Sequence, residues 1–148
     1  MATVNIYLTF DGTCEEAFRF YQSVLGGVFT HLTRFKEIPQ DENSEPLSEE
    51  DSNKIMHITL PISDETCLMG SDSAGEWTSN LVRGNNFSIS INADSVTEAN
   101  ELFDGLSAHG KVTMPMDETF WGAYFGMFTD KFGINWMVNH DLEGALEK

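Results

Sequence analysis

Val4, Ile6, Leu8 and Phe10 alternate with Asn5, Tyr7 and Thr9, the period-two pattern of a strand whose two faces meet different surroundings. Ala17, Phe20, Tyr21 and Val24 then recur at helical spacing. They follow Thr13-Cys14-Glu15-Glu16, which reads as a capping box with a hydroxyl at the N-cap and a glutamate at N3. Gly26-Gly27 ends the helix. The same events return later in the chain. Phe87, Ile89, Ile91 and Ala93 alternate with Ser88, Ser90 and Asn92, an offset of 83 from Val4. Ser95 and Glu98 then form a second capping box, an offset of 82 from Thr13, with Ala99, Leu102, Phe103 and Leu106 on the apolar face and Gly110 closing the helix.

Strand-like runs follow each helix, over 28–36, 55–62 and 66–72 in the first half and 111–115, 123–129 and 134–140 in the second. Ser63-Asp64-Glu65 and Asp130-Lys131-Phe132-Gly133 read as hairpin turns at equivalent places. The chain is therefore predicted to be one α+β domain over 1–148, built from two βαβββ modules in tandem. A mixed, curved sheet would enclose a cleft, with one helix per module on the outer face. Module one spans about 1–72 and module two about 86–140. Residues 37–52 contain seven acids, two prolines and no Lys or Arg, and read as a surface insertion. Residues 73–85 read as a Gly/Ser-rich linker anchored by Trp77, and 141–148 as a tail.

Composition narrows the partners. The 148 residues carry 8 Lys+Arg against 24 Asp+Glu, a formal net charge of −16. Scattered bases cannot form a phosphate-binding stripe, which argues against nucleic acid and against an anionic membrane surface. The N-terminal segment has no basic stretch followed by an apolar one, so no secretory signal is expected. Cys14 and Cys67 match no metal or redox spacing and read as reduced thiols of a cytoplasmic protein. Glu15 and Glu16 beside Cys14 work against a nucleophilic thiolate. No GxSxG, GxxxxGK[ST] or GxGxG occurs, which argues against a serine hydrolase, a phosphate loop and a nucleotide-like methyl donor.

The segments YLTFDGTCEEAFRFYQSVLGG, MHITLPI, CLMGSDS, NNFSISI and KVTMPMDETFWGAYFGMFTDKFGINWMVNH resemble the vicinal oxygen chelate superfamily of glyoxalase, bleomycin-resistance and dioxygenase proteins, and within it the PhnB-like group. The resemblance implies the tandem βαβββ fold and a homodimer. It allows either a metal-dependent lyase, isomerase or dioxygenase, or a metal-free binding protein, and leaves open whether this chain is an enzyme. The superfamily's metalloenzymes place a ligand near the first and in the last strand of each half. Those positions here look like Asn5, Ile6 or Tyr7, Met69 or Ser71, Ser88, and Met137. None is a good ligand for a divalent first-row ion, so neither metal nor cofactor is expected. His31, His57, His109 and His140 form no HxH, HxxxH or HExxH pattern. The best improvised pair is His57 with Asp72, whose strands are expected to be hairpin neighbours.

If Ile6, Leu8, Ile89 and Ile91 pack under the helices, their alternates face the cavity. The ligand-binding candidates are Tyr7, Thr9, His57, Asp72, Ser88, Ser90, Trp121, Phe125, Met137 and Asn139. Hydroxyls, amides, thioethers and an imidazole suit a small, neutral or weakly polar and aromatic molecule. Acid/base chemistry at His57 is the alternative. Phe120, Trp121, Tyr124, Phe125 and Phe128 form the densest aromatic patch. They read first as core, and otherwise as a stacking wall or a dimer contact.

Overall fold

The computed structural model describes residues 2–38, 47–74 and 81–142. Trp77, the centre of the acidic insertion (39–46) and most of the expected tail (143–148) lie outside the described residues. The chain divides into two compact units, Met1–Val82 and Arg83–Lys148, parting inside the expected linker.

The first unit runs β1 (Ile6–Phe10), α1 (Cys14–Leu25), β2 (His31–Arg34), a 3-10 turn (Phe35–Glu37), the short α2 (Glu49–Ser52), β3 (Ile55–Pro61) and β4 (Cys67–Asp72). The second runs β5 (Ile89–Asn92), α3 (Val96–Ser107), β6 (Lys111–Glu118), β7 (Ala123–Thr129) and β8 (Asn135–Asp141). Each unit is the expected βαβββ module with a mixed four-stranded sheet. The orders are β1-β4-β3-β2 and β5-β8-β7-β6. The first strand of each unit pairs parallel with the last, and the other neighbours are antiparallel.

In the first unit Leu8, Phe10, Ile58, Leu60 and Leu68 are buried with Cys14, Ala17, Phe18 and Tyr21 of α1. Gly70 shows why the layers fit. A side chain there would meet the Phe18 ring and the Leu8 carbonyl, so its absence lets α1 sit close on the sheet. The buried helix face is turned from the expected one, since Phe18 is fully buried and Phe20 only partly. In the second unit Ile89, Phe128, Trp136 and Val138 are buried with Ala99, Phe103 and Leu106 of α3.

The two helix starts differ. At α3 the box forms much as expected. Ser95 Oγ accepts from the Glu98 N–H at 3.0 Å, and the Glu98 carboxylate accepts from the Asp94 N–H, one residue beyond the box pattern. At α1 the Thr13 side chain makes no capping bond. Asp72 does that work from the end of β4. Its Oδ1 accepts the N–H groups of Gly12 and Cys14, both at 2.9 Å, and its Oδ2 accepts from Ile55 N–H at 2.9 Å. Gly110 is not the left-handed residue after α3; His109 is, at φ 61. Gly110 instead lies so close to the Thr129 carbonyl that no side chain fits there.

Both expected hairpin turns close. Ile62 and Ser63 N–H donate to the Thr66 carbonyl, and Asp130 N–H donates to the Ile134 carbonyl. Among the described residues no helix is long and apolar enough to cross a membrane.

Candidate functional site

The strand alternation decides which side chains are open to chemistry. In the first unit the residues beneath α1 are Leu8, Phe10, Ile58, Leu60, Leu68, Gly70 and Asp72. Their alternates point the other way. The register aligns these alternates in rows across the sheet. Tyr7 on β1 stands beside Met69 on β4, which stands beside Thr59 on β3, which stands beside His31 on β2. Thr9 stands beside Ser71, and Thr33 beside His57. None of these side chains is a carboxylate, an ammonium or a guanidinium.

His57 is the centre of this surface. Its Nε2 shares a hydrogen bond with Thr59 Oγ1 at 2.9 Å. Its ring lies 5.8 Å from the Tyr7 ring and 5.1 Å from the His31 ring. His31 Nε2 is held in the same way by Thr33 Oγ1 at 2.8 Å. Burial first, and the neighbouring His31 second, hold the His57 imidazole below its ordinary pKa. The fold thus favours neutral His57. Below the free imidazole value of about 6.5 the unfolded chain takes up a proton that the folded chain resists, so stability falls as pH drops toward the folded pKa. Urea unfolding between pH 7.5 and 5.5 should show this fall in the native protein and a flatter profile in His57→Gln. Equal slopes would contradict the assignment.

Asp72 does not join this surface. It is 4% exposed, lies on the α1 side of the sheet, and spends its oxygens on three backbone N–H groups. The improvised His57–Asp72 pair does not form, because the two side chains leave the sheet on opposite faces. β3 and β4 are indeed hairpin neighbours, but adjacency along the ladder does not override the parity of the pleat. Cys14 is also on the buried side. Burial, then Asp72 and Glu15, push its pKa far up, so it remains a neutral thiol.

The second unit repeats the division. Beneath α3 lie Ile89 with Trp136 and Phe128, and Ile91 with Val138 and Gly126. On the opposite face Ser90 stands beside Met137, which stands beside Met127, and Asn92 stands beside Asn139, which stands beside Phe125. Asn139 Nδ2 donates to Asn92 Oδ1 at 3.2 Å and to Asp141 Oδ1 at 3.1 Å. Ser88 falls one residue before β5. The aromatic patch is split. Phe128 is core, whereas Phe120 is 98% and Trp121 53% exposed. These two rings meet edge-on at 5.0 Å, and Trp121 reaches Phe125 at 6.2 Å. The expectation of core holds for Phe128 and fails for Phe120 and Trp121, which sit in the turn between β6 and β7.

The donor chemistry tests the metal positions implied by the resemblance. Tyr7 stands beside Met69 in one unit and Ser90 beside Met137 in the other, with Ser88 at the edge. A phenol, two thioethers and hydroxyls do not fit a hard or borderline divalent ion. Among the described residues no three His, Cys, Asp or Glu side chains gather as a metal cluster.

Sequence reasoning did not single out His31 as the partner of His57. The signal was weak because β2 is only 4 residues long and its register with β3 shifts between Thr33 and Arg34.

Comparison with known proteins agrees with this architecture. Protein YjdN of Escherichia coli K12 is 33% identical over 138 residues, covering 90% of this chain and 91% of that one. The crystal structure of PA1353 from Pseudomonas aeruginosa superposes with a TM-score of 0.80 at 37% identity, covering 97% of this chain and all of that one. A PhnB protein from Bacillus cereus shares the fold with a TM-score of 0.73 at 24% identity, over 94% and 99% of the two chains. Residues 3–138 match the Glyoxalase/Bleomycin resistance protein/Dioxygenase superfamily, and the chain belongs to that superfamily.

Proposed function

We propose that this superfamily member is a PhnB-like protein that binds a small, neutral or weakly polar molecule, with an aromatic ring, on its open sheet faces. It does so without a metal at the superfamily's ligand positions. The observation that carries this reading is the uncharged face opposite α1, where Tyr7, Thr9 and His57 offer a ring, a hydroxyl and an imidazole. In the second unit Ser88, Ser90, Met137 and Asn139 supply hydroxyl, thioether and amide, and Phe125 and Trp121 supply stacking surface. The two cysteines are free, which suits a reducing cytoplasm. The protein acts as a homodimer in this reading, and the exposed Phe120 and Trp121 are the contact to test by sedimentation.

Binding is expected to change the fluorescence of Trp121, which is half exposed and in ring contact with Phe125. A fragment panel containing aromatic alcohols, amides and lactones should include compounds that quench or shift the native emission. Trp121→Phe should lose that signal and weaken binding about three- to tenfold, the loss of one stacking contact. A ligand verified by calorimetry that leaves the emission unchanged, and binds Trp121→Phe equally well, would sink the assignment of Trp121.

A second reading is acid/base catalysis at His57. The depressed pKa keeps a lone pair available near neutral pH, and Tyr7 and His31 lie against the ring.

A further inference from the structure

We propose that His31 and His57 form a two-imidazole site for a divalent late first-row cation, with copper(II) bound most tightly. The site lies on β2 and β3, away from the strand pairs that carry the superfamily's ligand positions. It stands independently of the small-molecule reading.

Three features carry it. The first is spacing. A metal–nitrogen bond of about 2.0–2.1 Å places each imidazole centroid about 3.2 Å from a bound ion, so two rings on one ion at angles from about 90° to tetrahedral have centroids about 4.5–5.2 Å apart. The His31 and His57 centroids are 5.1 Å apart. The second is the tautomer. Each Nε2 is tied to a threonine hydroxyl two residues further along its own strand, Thr33 for His31 and Thr59 for His57. When Nε2–H donates to that hydroxyl, the other ring nitrogen carries the lone pair. This is the outer-shell arrangement that fixes the tautomer of a metal-binding histidine. Neither Nδ1 has a partner among the described residues. The third is the repetition itself. The same His-x-Thr unit, His31-Leu32-Thr33 and His57-Ile58-Thr59, occurs on both antiparallel neighbours, and the register sets each histidine opposite the other strand's threonine.

The electrostatics agree. His57 is disposed to be neutral, and therefore able to ligate, because burial and His31 both oppose its protonation. A bound dication would replace the repulsion between two protonated rings with two favourable bonds, and binding would release any protons the pair carried. Imidazole nitrogen suits copper, nickel and zinc, and among divalent ions the affinity order peaks at copper. Two protein ligands leave positions open for water or another small oxygen or nitrogen donor.

The test uses the full chain, stripped with a chelator, and copper(II) alone as the probe. Titration followed by electron paramagnetic resonance should saturate at one ion per chain, with coupling to two imidazole nitrogens. His31→Gln and His57→Gln should each weaken binding at least tenfold and reduce the coupling to one nitrogen, while His109→Gln and His140→Gln bind as the native protein does. Circular dichroism melts of each variant check that the fold is kept. If either glutamine variant unfolds, Thr33→Val and Thr59→Val retain both imidazoles and loosen their orientation, and should weaken binding by about tenfold. Absence of a saturable one-to-one site, a one-nitrogen spectrum in the native protein, or unchanged affinity in the folded His31 and His57 variants would overturn the proposal.

Discussion

Replacing Asp72 by alanine should lower the unfolding free energy by about 3–5 kcal/mol, because it strands three backbone donors at once, two of them in buried bonds. The carboxylate accepts from Gly12, Cys14 and Ile55, and so ties the β1–α1 turn and the start of β3 to the end of β4. It also places negative charge at the first turn of α1, where the helix dipole favours it. Water cannot replace it at 4% exposure. Asp72→Asn is the informative companion. Its amide oxygen can keep the Gly12 and Cys14 bonds, but its NH2 cannot accept from Ile55, so the cost should drop to about 1–3 kcal/mol. Urea unfolding of both variants measures this order. An alanine variant within about 1 kcal/mol of the native protein would show that the clamp is not what holds α1.

The second large effect is expected at Trp136. It is fully buried beneath α3, stacked on Phe128 at 6.5 Å with planes 10° apart, and its Nε1–H donates to Asp130 Oδ2 at 2.8 Å. Asp130 Oδ1 in turn accepts from the Phe132 and Ile134 N–H groups and shapes the β7–β8 turn. Trp136→Ala removes the largest side chain of this core and a donor to that turn, and should cost about 3–5 kcal/mol. Trp136→Phe keeps most of the packing and loses the indole N–H, so a smaller loss of about 1–3 kcal/mol is expected. Thermal and urea unfolding of the pair separate volume from hydrogen bonding. Equal destabilisation by both would mean that the Asp130 bond dominates and the cavity does not.

These two positions explain where sequence reading succeeds and where it stops. Faces of β1 and β5 were legible because apolar and polar residues alternate, and that of β8 because Asn135 and Asn139 flank Trp136 and Val138 with Met137 between them. One buried side per sheet forces Leu8, Ile89, Trp136 and Val138 inward and leaves Tyr7, Ser90, Met137 and Asn139 on the opposite face. The helices were legible from their periodicity, but their rotation was not. Phe18, Phe20 and Tyr21 crowd one turn of α1, and only packing against Gly70 selects Phe18 for the core. Asp72 was misplaced for a different reason. The pleat puts it with Leu68 and Gly70, whereas the adjacency of the two strands alone pairs it with His57. The deciding partners are donors 58 to 60 residues away in the chain, which no local pattern displays. The same long-range bonds relieve Thr13 of its expected capping role. His31 stayed unpaired in the sequence reading because the shift between Thr33 and Arg34 hides the cross-strand register from a residue count.

The division of each sheet into a helix-covered face and an open face, uncharged opposite α1, is the basis of the functional reading, and methionine methyl groups report on both. Met69, Met127 and Met137 lie on the open faces. Met116 lies on the α3 side, close to Gly126 and near Phe103. Protein labelled with 13C at the methionine methyls should be titrated with the tightest compound from an aromatic fragment screen. The account predicts saturable shifts at Met69, Met137 or both, with Met116 unmoved. Shifts at Met116 while Met69 and Met137 stay fixed would contradict it.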